Sequence, residues 1–304
     1  MASPQQIKTT VTDMLKIRHP VLLAGMNVAA GPKLAAAVTN AGGLGVIGGV
    51  GYTPDMLREQ IAELKGFLHD KNAPFGVDLL IPQVGGSARK TNYDYTKGKL
   101  DELVTIIIDS GAKLFVSAVG VPPKAVVDRL HKAAKSPLTG QPVQCIAAGG
   151  LFNGQSLAAA LMLGATAVWI GTRFVLSEEA GAPKAHQEAV RTAGFDDNIR
   201  TIIFTGRPLR VRTNPYIENW EKNRANEIKE LTEKGTIPVE HDFEQLGDDM
   251  DDETMDNARP FLMGQAAAVV SERKSAREIV DEMVKEAVDM MNKGSSMIVA
   301  RSKL

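Results

Sequence analysis

The chain has a single cysteine, Cys145, among 304 residues. No intramolecular disulfide can form, so a disulfide-built secreted scaffold is excluded and a reducing compartment is suited. The sequence also lacks any run near the roughly 18 apolar residues that a membrane span needs. Its first residues, MASPQQIKTT, contain no apolar signal core. An excess of charge of either sign is missing as well, since 35 Lys+Arg face 36 Asp+Glu. That balance leaves no basic footprint for nucleic acid, and a hydrophobic share of 44% is too high for a disordered tail protein. What remains is a globular chain of a size that buries about three quarters of its unfolded surface, one large α/β domain with an extension.

The apolar patterning repeats. PVLLAGM from Pro20 is followed by Gly31 and the helical KLAAAVTNAG, LGVIGG (44–49) by PDMLREQIAELKGFL, and FGVDLLIP (75–82) by KLDELVTIIIDSG. KLFVSAVG (113–120) leads to AVVDRLHKAAK, VQCIAAGGL (143–151) to NGQSLAAALMLG, and AVWIGTRFV (167–175) to SEEAGAPKAHQEAVRTAG. Six Val/Ile/Leu-rich strands, each followed by a helix, predict a parallel sheet covered by helices. Ala147-Ala148-Gly149-Gly150 ends the fifth strand and Gly171-Thr172 the sixth. Glycine-rich ends late in the strand order favour a TIM-type barrel, with its phosphate site after the last strands, over a doubly wound sheet. A closed barrel needs eight βα units, and six are recognisable. The predicted organisation is an incomplete barrel over 14–200 and a largely helical extension over 201–304, packed on the barrel.

Gly43-Leu44-Gly45-Val46-Ile47-Gly48 matches the dinucleotide pattern GxGxxG, but a helix precedes it and its interior is itself a strand. That order is wrong for a dinucleotide site and indicates tight packing at a helix-to-strand turn. The ends at Ala148, Gly149, Gly150, Gly171 and Thr172 read either as strand ends needing positive φ or as an anion cradle of main-chain N–H groups and a hydroxyl. The cradle would suit a phosphorylated cofactor. Asp78 stands inside an apolar strand, where a carboxylate must find hydrogen bonds, from backbone N–H groups or from a cofactor ring or ribityl hydroxyl.

A general base should sit at the C-terminal end of a barrel strand. None of His19, His69, His131, His186 and His241 does so by sequence position, and each reads as structural. Cys145, mid-strand among apolar neighbours, reads as a buried inert thiol. The cluster Asp248, Asp249, Asp251, Asp252 and Glu253 lacks calcium-loop spacing, so no metal is expected. Ser302-Lys303-Leu304 is the tripeptide read by the peroxisomal import receptor, which makes a peroxisomal location the expectation and a cytoplasmic one the alternative. Deleting Leu304 is expected to leave a fluorescent fusion cytosolic; unchanged import would remove this reading.

The segments HPVLLAGM, LAAAVTNAGGLGVIGG, PFGVDLLIP, KLFVSAVGVPPK, SPLTGQPV, AAGG with LAAALMLGA, AVWIGTRF, EAGAPKAHQEA, TIIFTGRPLRVRTNPY and RPFLMGQ together resemble the nitronate monooxygenase family (2-nitropropane dioxygenases) in its fungal-type form. The resemblance implies a TIM barrel, FMN as cofactor, and oxidation of small-molecule alkyl nitronates with O₂. It implies that Gly25 and Met26 approach the flavin, that Asp78 stands near it, and that Ala148, Gly149, Gly150, Gly171 and Thr172 hold its phosphate.

One departure accompanies the match. The family carries, before SPLTG, a stretch of roughly 50 residues, about two units of an eight-unit barrel, with two strands and the catalytic histidine. Here Leu130-His131-Lys132-Ala133-Ala134-Lys135 runs straight into Ser136-Pro137. A positioned base is worth about 10²–10⁴ in rate, so proton abstraction from neutral nitroalkanes should suffer more than oxidation of anionic nitronates. The competing expectations are an enoyl reductase-like enzyme using FMN and NAD(P)H, and a catalytically silent flavin-binding or non-folding product.

Overall fold

Helix α1 (Thr10–Leu15) opens the chain, capped at Thr9 by a reciprocal capping box with Thr12. Strand β1 (Val21–Leu23) follows, then α2 (Pro32–Asn40), β2 (Gly45–Gly49), α3 (Pro54–Phe67), β3 (Phe75–Ile81), α4 (Leu100–Ser110) and β4 (Leu114–Val119). After β4 come β5 (Ile146–Ala148), α5 (Gly154–Met162), β6 (Ala167–Ile170), α6 (Thr172–Val175) and α7 (Lys184–Arg191). This computed structural model describes residues 3–81, 90–91, 94–119, 144–247 and 252–298. His131, the 130–137 junction, Asp248, Asp249, Asp251 and Ser302–Leu304 lie outside them.

The sheets are parallel, as the apolar strands predict: β2-β3-β4 form one and β1-β6-β5 the other. Leu44 joins them beside β1, its N–H donating to Val21 O at 3.0 Å and its carbonyl accepting from Leu23 N–H at 2.9 Å. The described strands therefore run β4-β3-β2-β1-β6-β5, a curved wall with β4 and β5 at its ends. All six predicted strands are present. AVWIGTRFV ends its strand at Ile170, because Thr172 already opens α6.

One expectation is corrected. Cys145 lies before β5 and is exposed, not buried mid-strand. Only β6 pairs with β5 among the described residues, and Ile146 beside the thiol is itself 36% exposed. A mid-strand apolar pattern predicts burial only where a neighbour covers both faces.

The glycines of the GxGxxG match are packing glycines. A Cβ on Gly43 would stand 2.5 Å from Val21 O, and one on Gly45 would overlap the Ala35 carbonyl of α2. Helix and strand approach so closely that only hydrogen fits.

Beyond α7 the chain forms an antiparallel hairpin, β7 (Asn198–Thr201) and β8 (Leu209–Arg212), absent from the helical reading of this region. Then come α8 (Pro215–Asn223), α9 (Ala225–Lys234), α10 (Pro238–Leu246), α11 (Asp252–Asn257), a 3₁₀ turn (Gln265–Val269) and α12 (Ala276–Ser296). Helix α12 buries Ile279, Val280, Met283, Val284 and Ala287 in the main core beneath the strands, where it meets α5 and α2. A second core surrounds Trp220, Val211, Ile217 and Ile203. Asp242 is buried there and accepts from Tyr216 Oη (2.8 Å), Trp220 Nε1 (3.0 Å) and Arg224 Nη1 (2.9 Å). Removing one partner of a buried pair costs about 3–5 kcal/mol. Asp242→Ala is therefore expected to loosen this lobe and shift Trp220 fluorescence to the red; an unchanged spectrum and melting temperature would contradict that.

Candidate functional site

Neighbouring strands end on one rim, and the rim collects the residues singled out by sequence. In strand order it presents Asp78 on β3, Gly48 on β2, Gly25 and Met26 after β1, Gly171 and Thr172 after β6, and Ala148, Gly149 and Gly150 at the end of β5. The loop after β1 is tied on both sides. Ala24 N–H donates to Ile170 O at 2.8 Å, and Asn27 Oδ1 accepts from Val50 N–H at 3.2 Å.

Midway along β3, level with the end of β2, Asp78 pairs in register with Gly48. A Cβ on Gly48 would stand 2.7 Å from Gly25 Cα, and one on Gly25 would overlap the Asp78 carboxylate. These two glycines open the space that the carboxylate fills. Asp78 is only 6% exposed, and its Oδ1 has no hydrogen-bond partner among the described residues. Burial pushes its pKa up to about 7. Tyr52, whose ring packs where a Gly49 Cβ would go, is raised to about 12 by burial and then by the Asp78 charge.

At the other end, Gly149 and Gly150 adopt φ of +90° and +72°, and a Cβ on either would meet nothing within 4 Å. Both readings of these glycines thus have support: positive φ is required, and open space lies beside them. Met26 spans the middle of the rim, its Sδ 3.7 Å from where a Gly171 Cβ would lie. Thr172 Oγ1 accepts from Gly264 N–H at 2.8 Å, so the extension reaches the rim here. The first N–H of α5 is already taken by Glu286 at 2.8 Å.

Sequence reasoning passed over Tyr52 and Val28. Val28 is β-branched yet held at φ +63°, a conformation costing about 1–2 kcal/mol. Gly181 packs against it, and a Cβ there would overlap the Val28 carbonyl oxygen. No local signal in either stretch indicated this.

The described histidines stay off the rim, as expected. His19 is fully buried ahead of β1. His186 hydrogen-bonds the Leu262 carbonyl at 2.6 Å and stacks on Phe261. His69 follows α3, and His241 lies in α10. No group of three metal-ligating side chains occurs among the described residues, and no described helix is long and apolar enough to cross a membrane. A cavity of about 270 Å³ between the 3₁₀ turn and α12 is distinct from the rim, and its Lys274 already pairs with Glu272 and Glu282.

The sequence profile of the nitronate monooxygenase family matches residues 8–140 and 125–286. A probable nitronate monooxygenase of Staphylococcus saprophyticus is 24% identical over 368 aligned residues, which cover 95% of this chain and 100% of that one. Among solved structures, FabK from Thermotoga maritima is similar at TM-score 0.68 and 26% identity, covering 96% of this chain and 100% of that one. A nitroalkane oxidase from Streptomyces ansochromogenes shares the fold at TM-score 0.72 and 21% identity, covering 93% and 99%. With parallel βα units ending on a single glycine-rich rim and a family profile that spans most of its length, the chain belongs to the nitronate monooxygenase family of flavin oxidoreductases, on a TIM-barrel-type fold.

Proposed function

We propose that this chain binds FMN along the rim and oxidises alkyl nitronates with O₂. The observation that carries the reading is the division of labour along the strand ends. A buried carboxylate with an unpartnered oxygen stands at Asp78, and positive-φ glycines with open space stand at Gly149 and Gly150. Each end suits one part of FMN. An orphaned carboxyl oxygen needs a hydrogen-bonding ring or ribityl group, and exposed main-chain N–H groups suit a phosphate. Bound FMN would supply the redox chemistry, taking electrons from the nitronate and delivering them to O₂.

The protein's part is binding and orientation. Ala148, Gly149, Gly150, Gly171 and Thr172 would hold the phosphate, Gly25 would let the ring lie close to the backbone, and Met26 would pack against it. Thr172 keeps its hydroxyl proton for donation while it accepts from Gly264.

The proposal includes a shortened barrel that has lost two strands and the histidine loop between β4 and the SPLTG segment, so that one wall of the flavin site is reduced. Two observations support the loss. The family profile matches in two pieces, and the alignment with the staphylococcal relative, at 368 residues, is longer than this chain.

Oxygen uptake tests substrate choice. Propyl-2-nitronate is expected to drive O₂ consumption by the FMN-loaded protein, whereas NADH and NADPH are not. Nicotinamide oxidation without nitronate turnover would favour the enoyl reductase-like reading, and no turnover with either would leave a silent flavin binder. Peroxisomal import through Ser302, Lys303 and Leu304 belongs to the same proposal.

A further inference from the structure

The cavity of about 270 Å³ between the 3₁₀ turn and α12 shares no residue with the rim, and its five charged side chains do not pair off evenly. Lys274 Nζ holds Glu272 at 2.7 Å and Glu282 at 2.8 Å, which closes one set of three. Arg173 and Glu286 are left over. We propose that these two charges receive the two ends of a small zwitterion, an amino acid with an apolar side chain. Its carboxylate lies on Arg173, its ammonium on Glu286 and its side chain on the apolar lining.

Arg173 is the group that asks for an anion. It belongs to the short helix α6, whose Phe174 and Val175 are buried, and it is itself only 8% exposed. A guanidinium has five N–H donors. Here Nη1 donates to Glu272 O at 2.8 Å, the side chain's one hydrogen bond among the described residues, and no carboxylate pairs with it there. Glu282 and Glu272 act on its charge from further off, since both are held by Lys274. A charge so buried is costly without a hydrogen-bonded counter-charge. A carboxylate is the group whose two oxygens match the guanidinium fork.

Glu286 faces the same space from another element. Ile279, Glu282, Met283 and Glu286 recur at i, i+3, i+4 and i+7, so one face of α12 lines the cavity. Glu286 Oε2 accepts from Gly154 N–H at 2.8 Å, and the side chain meets no cation among the described residues. A simple anion would gain from Arg173 and be repelled by Glu286, and a simple amine would meet the reverse. A ligand carrying both signs satisfies both. Ile279, Met283, Phe152 and Val269 supply an apolar wall for its side chain. The volume lies just under the roughly 300–1,000 Å³ of pockets for drug-sized ligands, which keeps the ligand small.

Neither flavin nor turnover enters the test. The purified full chain is titrated calorimetrically with L-leucine, with isocaproate, which lacks the ammonium, and with leucinamide, which lacks the carboxylate. Leucine is expected to bind one to one. Leucinamide, without the partner for buried Arg173, should bind about 30-fold more weakly or worse. Isocaproate, without the partner for the more exposed Glu286, should bind about 5-fold more weakly. Glu286→Gln removes the charge and keeps an acceptor for Gly154 N–H. It should bring leucine down to the affinity of isocaproate while isocaproate itself binds no more weakly than before. If this variant fails to fold, the three ligands on the unaltered chain still decide. No binding of leucine, equal affinity for leucine and either truncated ligand, or full leucine affinity in Glu286→Gln would overturn the assignment.

Discussion

Gly149→Asp is expected to purify without flavin. The substitution puts a carboxylate where the open space beside Gly149 would receive the phosphate. Two unit charges about 4 Å apart repel by about 4 kcal/mol at the effective dielectric of a protein surface. The site is exposed, so screening reduces this to about 1 kcal/mol per charge, or about 2 kcal/mol against the roughly two charges of a phosphate, a loss of about 30-fold in FMN affinity. Backbone strain has to be separated from charge, since φ is +90° at this residue. Gly149→Ala supplies that control: it carries the same strain, about 1–2 kcal/mol, without the charge, and should retain measurable flavin. Unchanged flavin content in Gly149→Asp would take the phosphate away from this end of the rim.

The second large effect concerns the fold. Gly45→Ala is expected to lower the melting temperature by about 10 °C, because the added methyl has nowhere to go. It would overlap the Ala35 carbonyl oxygen, with the carbonyl carbon at 2.5 Å and Ala35 Cα at 2.8 Å, all of them backbone atoms of α2. Side chains can rotate aside, but a helix backbone packed on a strand cannot. Overpacking of this kind costs about 3 kcal/mol or more, and at this size each kcal/mol moves the melting temperature by about 2–4 °C. Gly66→Ala is the matching control. Gly66 lies in α3 with nothing within 4 Å of the added Cβ, and there alanine should stabilise by about 0.5–1 kcal/mol. A Gly45→Ala protein that melts with the unaltered one would refute the packing account of this glycine and reopen the dinucleotide reading.

Those two glycines show what the primary structure made legible. Both were interpretable because each one's place relative to its strand decides its use: Gly45 opens a strand behind a helix, and Gly149 follows one. Asp78 was legible for a similar reason, since a carboxylate in an apolar strand demands an explanation wherever it falls. Cys145 was misread because its burial depended on a flanking strand, which is not local information. The Thr172–Gly264 contact joins residues 92 positions apart. The Asp242 network likewise brings together side chains from α8, α10 and Arg224 between α8 and α9, and helical periodicity does not specify which polar faces will meet. Tyr52 was silent because its burial, and the Asp78 charge beside it, arise only once the loop after β2 has folded.

The shortened barrel proposed above gives the account its sharpest exposure to test. A strand wall ending at β4 and β5 presents two edges among the described residues, and edges are places where sheets pair wrongly or open. The rim draws its residues from β1, β2, β3, β5 and β6, which are neighbours among the described strands. Flavin binding and nitronate oxidation are therefore expected to persist.

The visible absorption spectrum of the purified protein, supplied with FMN and then mixed anaerobically with propyl-2-nitronate, puts that claim to the test in one cuvette. The account predicts protein-bound flavin bands that bleach on mixing and return when air is admitted. Bands that remain unbleached, or a protein that does not retain flavin, would contradict it.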